Sequence, residues 1–289
     1  MAGALRGSLG MHLDQPEKVG AQASVADPST LERAIRHDRV IVAVGLAAVT
    51  LLAWAYLLRM AVMMGAAADE ADMHIAMGMT DMRAWGAADF MTLFLMWTIM
   101  MIGMMLPSAA PVILLVTGTY RRRGDRSRAL TVPFIGGYLL AWTIFSAVAA
   151  LVQIVLHRTA LLSPAMVSSS ALLGGAILLV AGVYQWMPSK HACLTRLCRS
   201  PLAFLMREWR EGALGALTMG LRHGFFCVGC CWALMAVLFA VGVMNVLWVA
   251  AITIFVLVEK VAPHGQWVGR LAGVALIAWG GWVVMSGIS

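Results

Sequence analysis

Long apolar runs separated by short basic stretches organise this chain. The runs fall at 40–58, 89–118, 131–156, 167–187, 214–243, 246–262 and 267–287. A hydrocarbon layer of about 30 Å needs about 20 apolar residues in a helix. The pattern therefore predicts an all-α fold, a polytopic transmembrane helix bundle of about seven spans. The fifth run is too long for one crossing, so its start is expected to project into the cytosol. Asn245 is expected to turn the chain between the fifth and sixth runs. Pro107 and Pro111 interrupt the second run and predict a broken helix there. No internal repeat is apparent, so a repeat-built transporter is not indicated.

Residues 1–39 read as a mobile cytosolic tail with a short juxtamembrane helix, and 40–288 as the transmembrane helical domain. Ser29-Thr30-Leu31-Glu32 has the spacing of a capping box, which favours a helix start. The first apolar run begins too late for a signal peptide.

Loop charge orients the bundle. With the N-terminus cytosolic, 18 of the 21 Lys and Arg residues fall on the inside and only Arg59, Arg83 and Arg158 outside. That asymmetry is what the positive-inside rule expects of seven spans. It predicts a multi-pass protein of a bacterial-type inner (plasma) membrane, with the lipid bilayer as its first partner. Composition agrees: 61% of residues are hydrophobic, 12% are charged and the mean hydropathy is +0.84. The net charge of +7 suits basic cytosolic loops and anionic lipid, and no nucleic-acid module is present.

Sulfur changes the picture. The chain has 22 Met against 9 Phe and 4 Tyr, and 13 of the Met lie between Met60 and Met105. Five Cys cannot all pair, which argues against a disulfide scaffold. The strongest cluster is His223-Gly-Phe-Phe-Cys227-Val-Gly-Cys230-Cys231. On a helix Cys227, Cys230 and Cys231 sit at about 40°, −20° and 80° from His223, and Met219 at about −40°. Thiolate and thioether suit Cu(I), and thiolate with imidazole also suits Zn. The alternative is that these Cys merely pack. Met96, Met100 and Met104, with Met101 and Met105, form a row that ends at Pro107. A broken helix there would free carbonyls beside a soft-metal path; the alternative is Met as a filler of irregular contacts.

Three weaker features follow. His74, Met77 and Met79, with Met73 and Met82, lie in an outer segment among carboxylates, where thioethers survive and thiols would oxidise. His191, Cys193 and Cys198 are expected just inside the cytosolic surface, without a standard zinc spacing. Glu259-Lys260 falls at or within the bilayer edge, where ionisable residues are expensive, and a mutual ion pair is the bland reading.

The Met-Met-x-x-Met-Met-Leu-Pro segment ending at Pro107, together with Gly220-Leu-Arg-His-Gly-Phe-Phe-Cys-Val-Gly-Cys-Cys-Trp-Ala-Leu-Met235, resembles the DUF2182 family of predicted metal-binding integral membrane proteins. Tyr184 through Cys193, Cys198-Arg-Ser-Pro201 and Glu259-Lys260 fit it as well. The resemblance covers roughly 85–262 and implies a helical membrane protein that binds metal, without implying a reaction.

The first functional expectation is Cu(I) handling, by transport or by chaperone-like delivery to a metal chaperone or metalloenzyme partner. Zinc is a second candidate metal, and an oligomer is compatible. The alternatives are a membrane thiol-disulfide oxidoreductase using Cys227 and Cys230, and a non-catalytic scaffold subunit. No Walker motif or catalytic triad is present, so the balance leans away from an enzyme and from ATP-driven pumping by this chain alone.

Overall fold

The structure, a computed structural model, describes residues 28–76, 86–124, 127–159, 170–194 and 201–287. The fold is all-helical. Its helices are α1 (Pro28–Ala76), α2 (Ala87–Arg122), α3 (Ser127–Arg158), α4 (Ala171–Tyr184), α5 (Pro188–Cys193), α6 (Pro201–Glu208), α7 (Gly212–Val241), α8 (Val246–Val261) and α9 (Gly265–Ser286). Five of them, α1, α2, α3, α7 and α9, are long and apolar enough to cross a membrane. The other two expected spans are shorter. The 14 residues of α4 and 16 of α8 reach only about 21 and 24 Å at 1.5 Å per residue.

Two sequence expectations change in detail. The helix expected before residue 40 and the first apolar run are one continuous helix, and α1 continues past Arg59 to Ala76. No proline interrupts that stretch after Pro28. The second correction concerns α2, which is not broken at Pro107 or Pro111 but runs through both. Proline still leaves its mark. With no N–H on Pro107, the carbonyl of Gly103 loses its helical partner. The indole Nε1 of Trp54, on α1, donates to that carbonyl at 3.2 Å. A neighbouring helix thus supplies the missing hydrogen bond, as an apolar environment demands.

Burial ranks the helices. The apolar stretches of α2 and α7 are 61% and 56% buried, against 17% for those of α1 and α9. So α2 and α7 form the centre and α1 and α9 flank it. Between α2 and α3, Trp97 donates to Gln153 at 2.6 Å, with both residues buried. The start of α8 is capped by Asn245, whose Oδ1 accepts from the Leu247 and Trp248 amides, at the turn expected there.

Small residues allow backbones to meet. On the α3–α7 seam Gly137 faces the backbone of Leu217, Gly220 faces the carbonyl of Phe134, and Gly224 faces Tyr138 and Ala141. On the α4–α9 seam Gly175 opposes Gly280, and Gly182 opposes Gly273. Helices in lipid gain little from apolar burial against one another, so close packing of this kind is what holds them.

A methyl group at Gly220 would press on backbone, whereas one at Gly281 would meet nothing within 4 Å. Gly220→Ala is expected to lose about 1–3 kcal/mol of stability, read as a lower thermal midpoint in detergent, while Gly281→Ala stays near wild type. Equal midpoints for the two variants would contradict the close α3–α7 approach.

Candidate metal centre

Four helices converge on one thiol. Cys227, Cys230 and Cys231 are all buried near the middle of α7. Lys260, one residue from the end of α8, places its Nζ 2.9 Å from the Cys227 sulfur and donates to Ser108 Oγ on α2 at 3.1 Å. From α3, the Tyr138 hydroxyl lies 3.2 Å from the same sulfur and donates to the Met105 carbonyl at 3.0 Å. The sulfurs of Cys230 and Cys231 are 3.3 Å apart. The Cys230 thiol donates to the Cys227 carbonyl at 3.1 Å.

Only part of the arc expected on α7 converges. Met219 lies eight residues before Cys227, about 12 Å along the axis, and belongs to a different neighbourhood. Its sulfur accepts from the Arg210 amide at 3.2 Å and faces the Tyr120 hydroxyl at 4.0 Å. His223 is one turn from Cys227 and is ringed by Phe134, Tyr138 and Phe204. Its Nδ1 is buried and has no hydrogen-bond partner among the described residues. A shared helix face is therefore a column of donors, of which the three thiols form the compact part.

The methionine row leads to that part. Met96, Met100, Met101, Met104 and Met105 are each at most 1% exposed. The row spans about 14 Å of α2 and ends at the Met105 carbonyl, which Tyr138 links to Cys227. Ser108 Oγ donates to that same carbonyl at 2.8 Å, so the turn around Pro107 is tied to the thiol cluster from two sides.

Glu259 and Lys260 do not pair with each other in the way the sequence suggested. Neighbours on a helix point about 100° apart. Lys260 faces the thiols, while Glu259 takes the ammonium of Lys190 at 2.6 Å, both side chains being buried. Lys190 also hydrogen-bonds Gln185. Gly265 lies against the Glu259 carbonyl and Gly269 against its carboxylate, so the α8–α9 turn leaves no space for a side chain at either glycine.

Cys193, on α5, stands beside the same stretch of α7. Its sulfur is 3.7 Å from where a side chain on Gly229 would begin, and Tyr184 hydrogen-bonds the Gly229 carbonyl. Burial pushes the Cys193 thiol up. Burial, then the charges of Arg270 and Lys190, push the neighbouring His191 down. Cys198, Met77 and Met79 lie outside the described residues, and so does the side chain of His74, which falls on the backbone of α1.

Sequence reasoning passed over Tyr138, Ser108, Gln185 and Lys190 as site residues. The available signal was polarity inside or beside an apolar run, which is costly unless partnered. Among the described residues no three of His, Cys, Asp and Glu stand as a ready metal-binding group. The closed four-ligand set that structural zinc prefers is therefore not prebuilt, and nothing favours zinc. A close pair of buried sulfurs in a dry site remains a suitable environment for Cu(I).

Fold and site together define an all-helical protein with membrane-length helices and a buried, sulfur-rich centre. Comparison by family narrows this: over residues 94–283 the chain matches PpoB2, described as a copper chaperone, and it belongs to that family. The matched stretch contains the Met-row, Cys-cluster and Glu259-Lys260 motifs that carry the DUF2182 resemblance. No curated protein and no solved structure matches the chain.

Glu259→Gln would leave the Lys190 charge buried and unpaired, at a cost of about 3–5 kcal/mol. The double variant Lys190→Met/Glu259→Gln is expected to recover much of that loss. Thermal unfolding in detergent separates the two, and a double variant no better than the single would refute the pairing.

Proposed function

We propose that this chain carries Cu(I) through the membrane interior and hands it to a partner, a metal chaperone or a metalloenzyme. One observation carries the reading: the buried methionine row of α2 ends at Met105, whose carbonyl shares the Tyr138 hydroxyl with the Cys227 sulfur that Lys260 contacts. The copper chaperone family supports copper as the cargo. Thioethers bind Cu(I) without losing a proton, and thiolates bind it more tightly. Copper entering along Met96, Met100, Met101, Met104 and Met105 would thus move downhill to Cys227, Cys230 and Cys231.

Lys260 supplies the charge logic. Its ammonium donates to the Cys227 sulfur and offsets negative charge there while copper is absent. Arriving Cu(I) would bind Cys227 and a second thiol, Cys230 or Cys231, which gives its proton to the ligand that releases the copper. The anionic bis-thiolate then keeps the Lys260 ammonium as its counter-charge, so the dry site stays balanced. His223, with an unpaired buried nitrogen, is a reserve ligand one turn away. Cys193 beside Gly229 is the next thiol on the way out, and His191 and Cys198 extend that exit. The segment with His74, Met77 and Met79 is the proposed point of collection. In this reading α4 and α8 complete seven crossings of a bacterial-type inner membrane, with the N-terminus in the cytosol.

Elemental mass spectrometry on protein purified in detergent under reducing conditions tests the assignment. Wild type is expected to hold near-stoichiometric copper, and Cys227→Ser/Cys230→Ser/Cys231→Ser to lose it. Undiminished copper in the triple variant would sink the thiol site. Met96→Leu/Met100→Leu/Met104→Leu is expected to keep bound copper but load more slowly from Cu(I) offered outside reconstituted vesicles. Unchanged loading would remove the methionine row from the route.

A further inference from the structure

A second built site lies at the other end of α2, where its last turns meet the start of α1. A cavity of about 660 Å³ there is lined by Arg36, Arg39 and Arg122, with Ile35, Val40 and Leu114 as its apolar wall. Glu32 is the one carboxylate in the lining. Asp38, the buried carboxylate on this part of α1, is shared by Arg121 and Arg128 at 3.7 and 3.0 Å. Arg36, Arg39 and Arg122 form no ion pair among the described residues.

Arg39 is held in place instead of reaching outward. Its guanidinium lies against Gly118 of α2, with Nε and Cζ at 2.8 and 2.9 Å from where a side chain would begin. That Nε is buried and lacks a hydrogen-bond partner. An arginine that only snorkels would extend its charged head into water. Below the cavity the outer face of α1 is apolar. Val40, Val44 and Leu51 are exposed and fall within about 40° of one another on the helix.

We infer that this cavity binds the phosphate of an anionic phospholipid headgroup on Arg36, Arg39 and Arg122, with an acyl chain lying along Val40, Val44 and Leu51. Guanidinium forks match phosphate oxygens, and basic pockets between membrane helices hold anionic headgroups. The apolar strip is what distinguishes a lipid from free phosphate, which shares the headgroup chemistry but would gain nothing from it. The site is independent of copper handling.

Native mass spectrometry of the full chain in neutral detergent tests this by titration with dioleoylphosphatidylglycerol, dioleoylphosphatidylcholine and inorganic phosphate. Wild type is expected to take one phosphatidylglycerol before any phosphatidylcholine, and millimolar phosphate should not displace it. Arg36→Gln/Arg39→Gln/Arg122→Gln should weaken binding at least about tenfold. Arg123→Gln/Arg207→Gln/Arg222→Gln, which removes equal charge outside the cavity, should leave it unchanged. Gly118→Ala keeps every charge and displaces only the flexible end of Arg39, so it should fold normally and still bind more weakly.

Equal loss in both triple variants would reduce the effect to bulk charge and overturn the site. Equal binding of phosphatidylcholine, displacement by inorganic phosphate, or undiminished affinity in Gly118→Ala would each overturn it as well.

Discussion

The close contact of α3 with α7 is the constraint on which the rest of the centre depends. Gly137, Gly220 and Gly224 let the two backbones touch. Because Gly224 lies against the backbone of Tyr138, the tyrosine hydroxyl arrives at Cys227, one turn further along α7. Larger residues on this seam would press on the facing backbone and separate the helices, drawing the Tyr138 hydroxyl away from the sulfur. The sulfur site is therefore positioned by residues with no chemistry of their own.

Around that seam, several polar groups buried in apolar surroundings have a partner on another helix. Trp97 meets Gln153, Thr117 meets Thr131, and Lys190 meets Glu259. Such pairs are weak evidence of net stability, because desolvation opposes the attraction. Their value lies in register: a helix that slid or turned would strand a charge. Adjacent Glu259 and Lys260 fix α8 on two sides at once, one toward the α4–α5 junction and one toward α2 and α7. That double attachment explains how a helix of only 16 residues can present one lysine to one thiol.

Much of this was legible in the chain itself. Apolar run lengths gave the all-helical fold, and the family match agrees with the copper chemistry read from Met and Cys. What the runs could not give was which faces meet. The 100° arithmetic gathered Met219, His223 and the three cysteines on one face, yet rise along the axis separates Met219 from the thiols. Pro107 was legible as a lost hydrogen bond but not as an unbroken helix, because the compensating donor, Trp54, comes from elsewhere in the sequence. Tyr138 and Lys190 were similarly hidden, since their partners lie 89 and 69 residues away.

The Trp54–Gly103 hydrogen bond has a mechanical side. At one end α1 is tied by Asp38 to Arg121 and Arg128. Further along, the indole bond resists sliding, because withdrawing it would expose the Gly103 carbonyl to an apolar surrounding, a penalty of about 1–3 kcal/mol. The proline that loosens α2 thereby latches α1 to it.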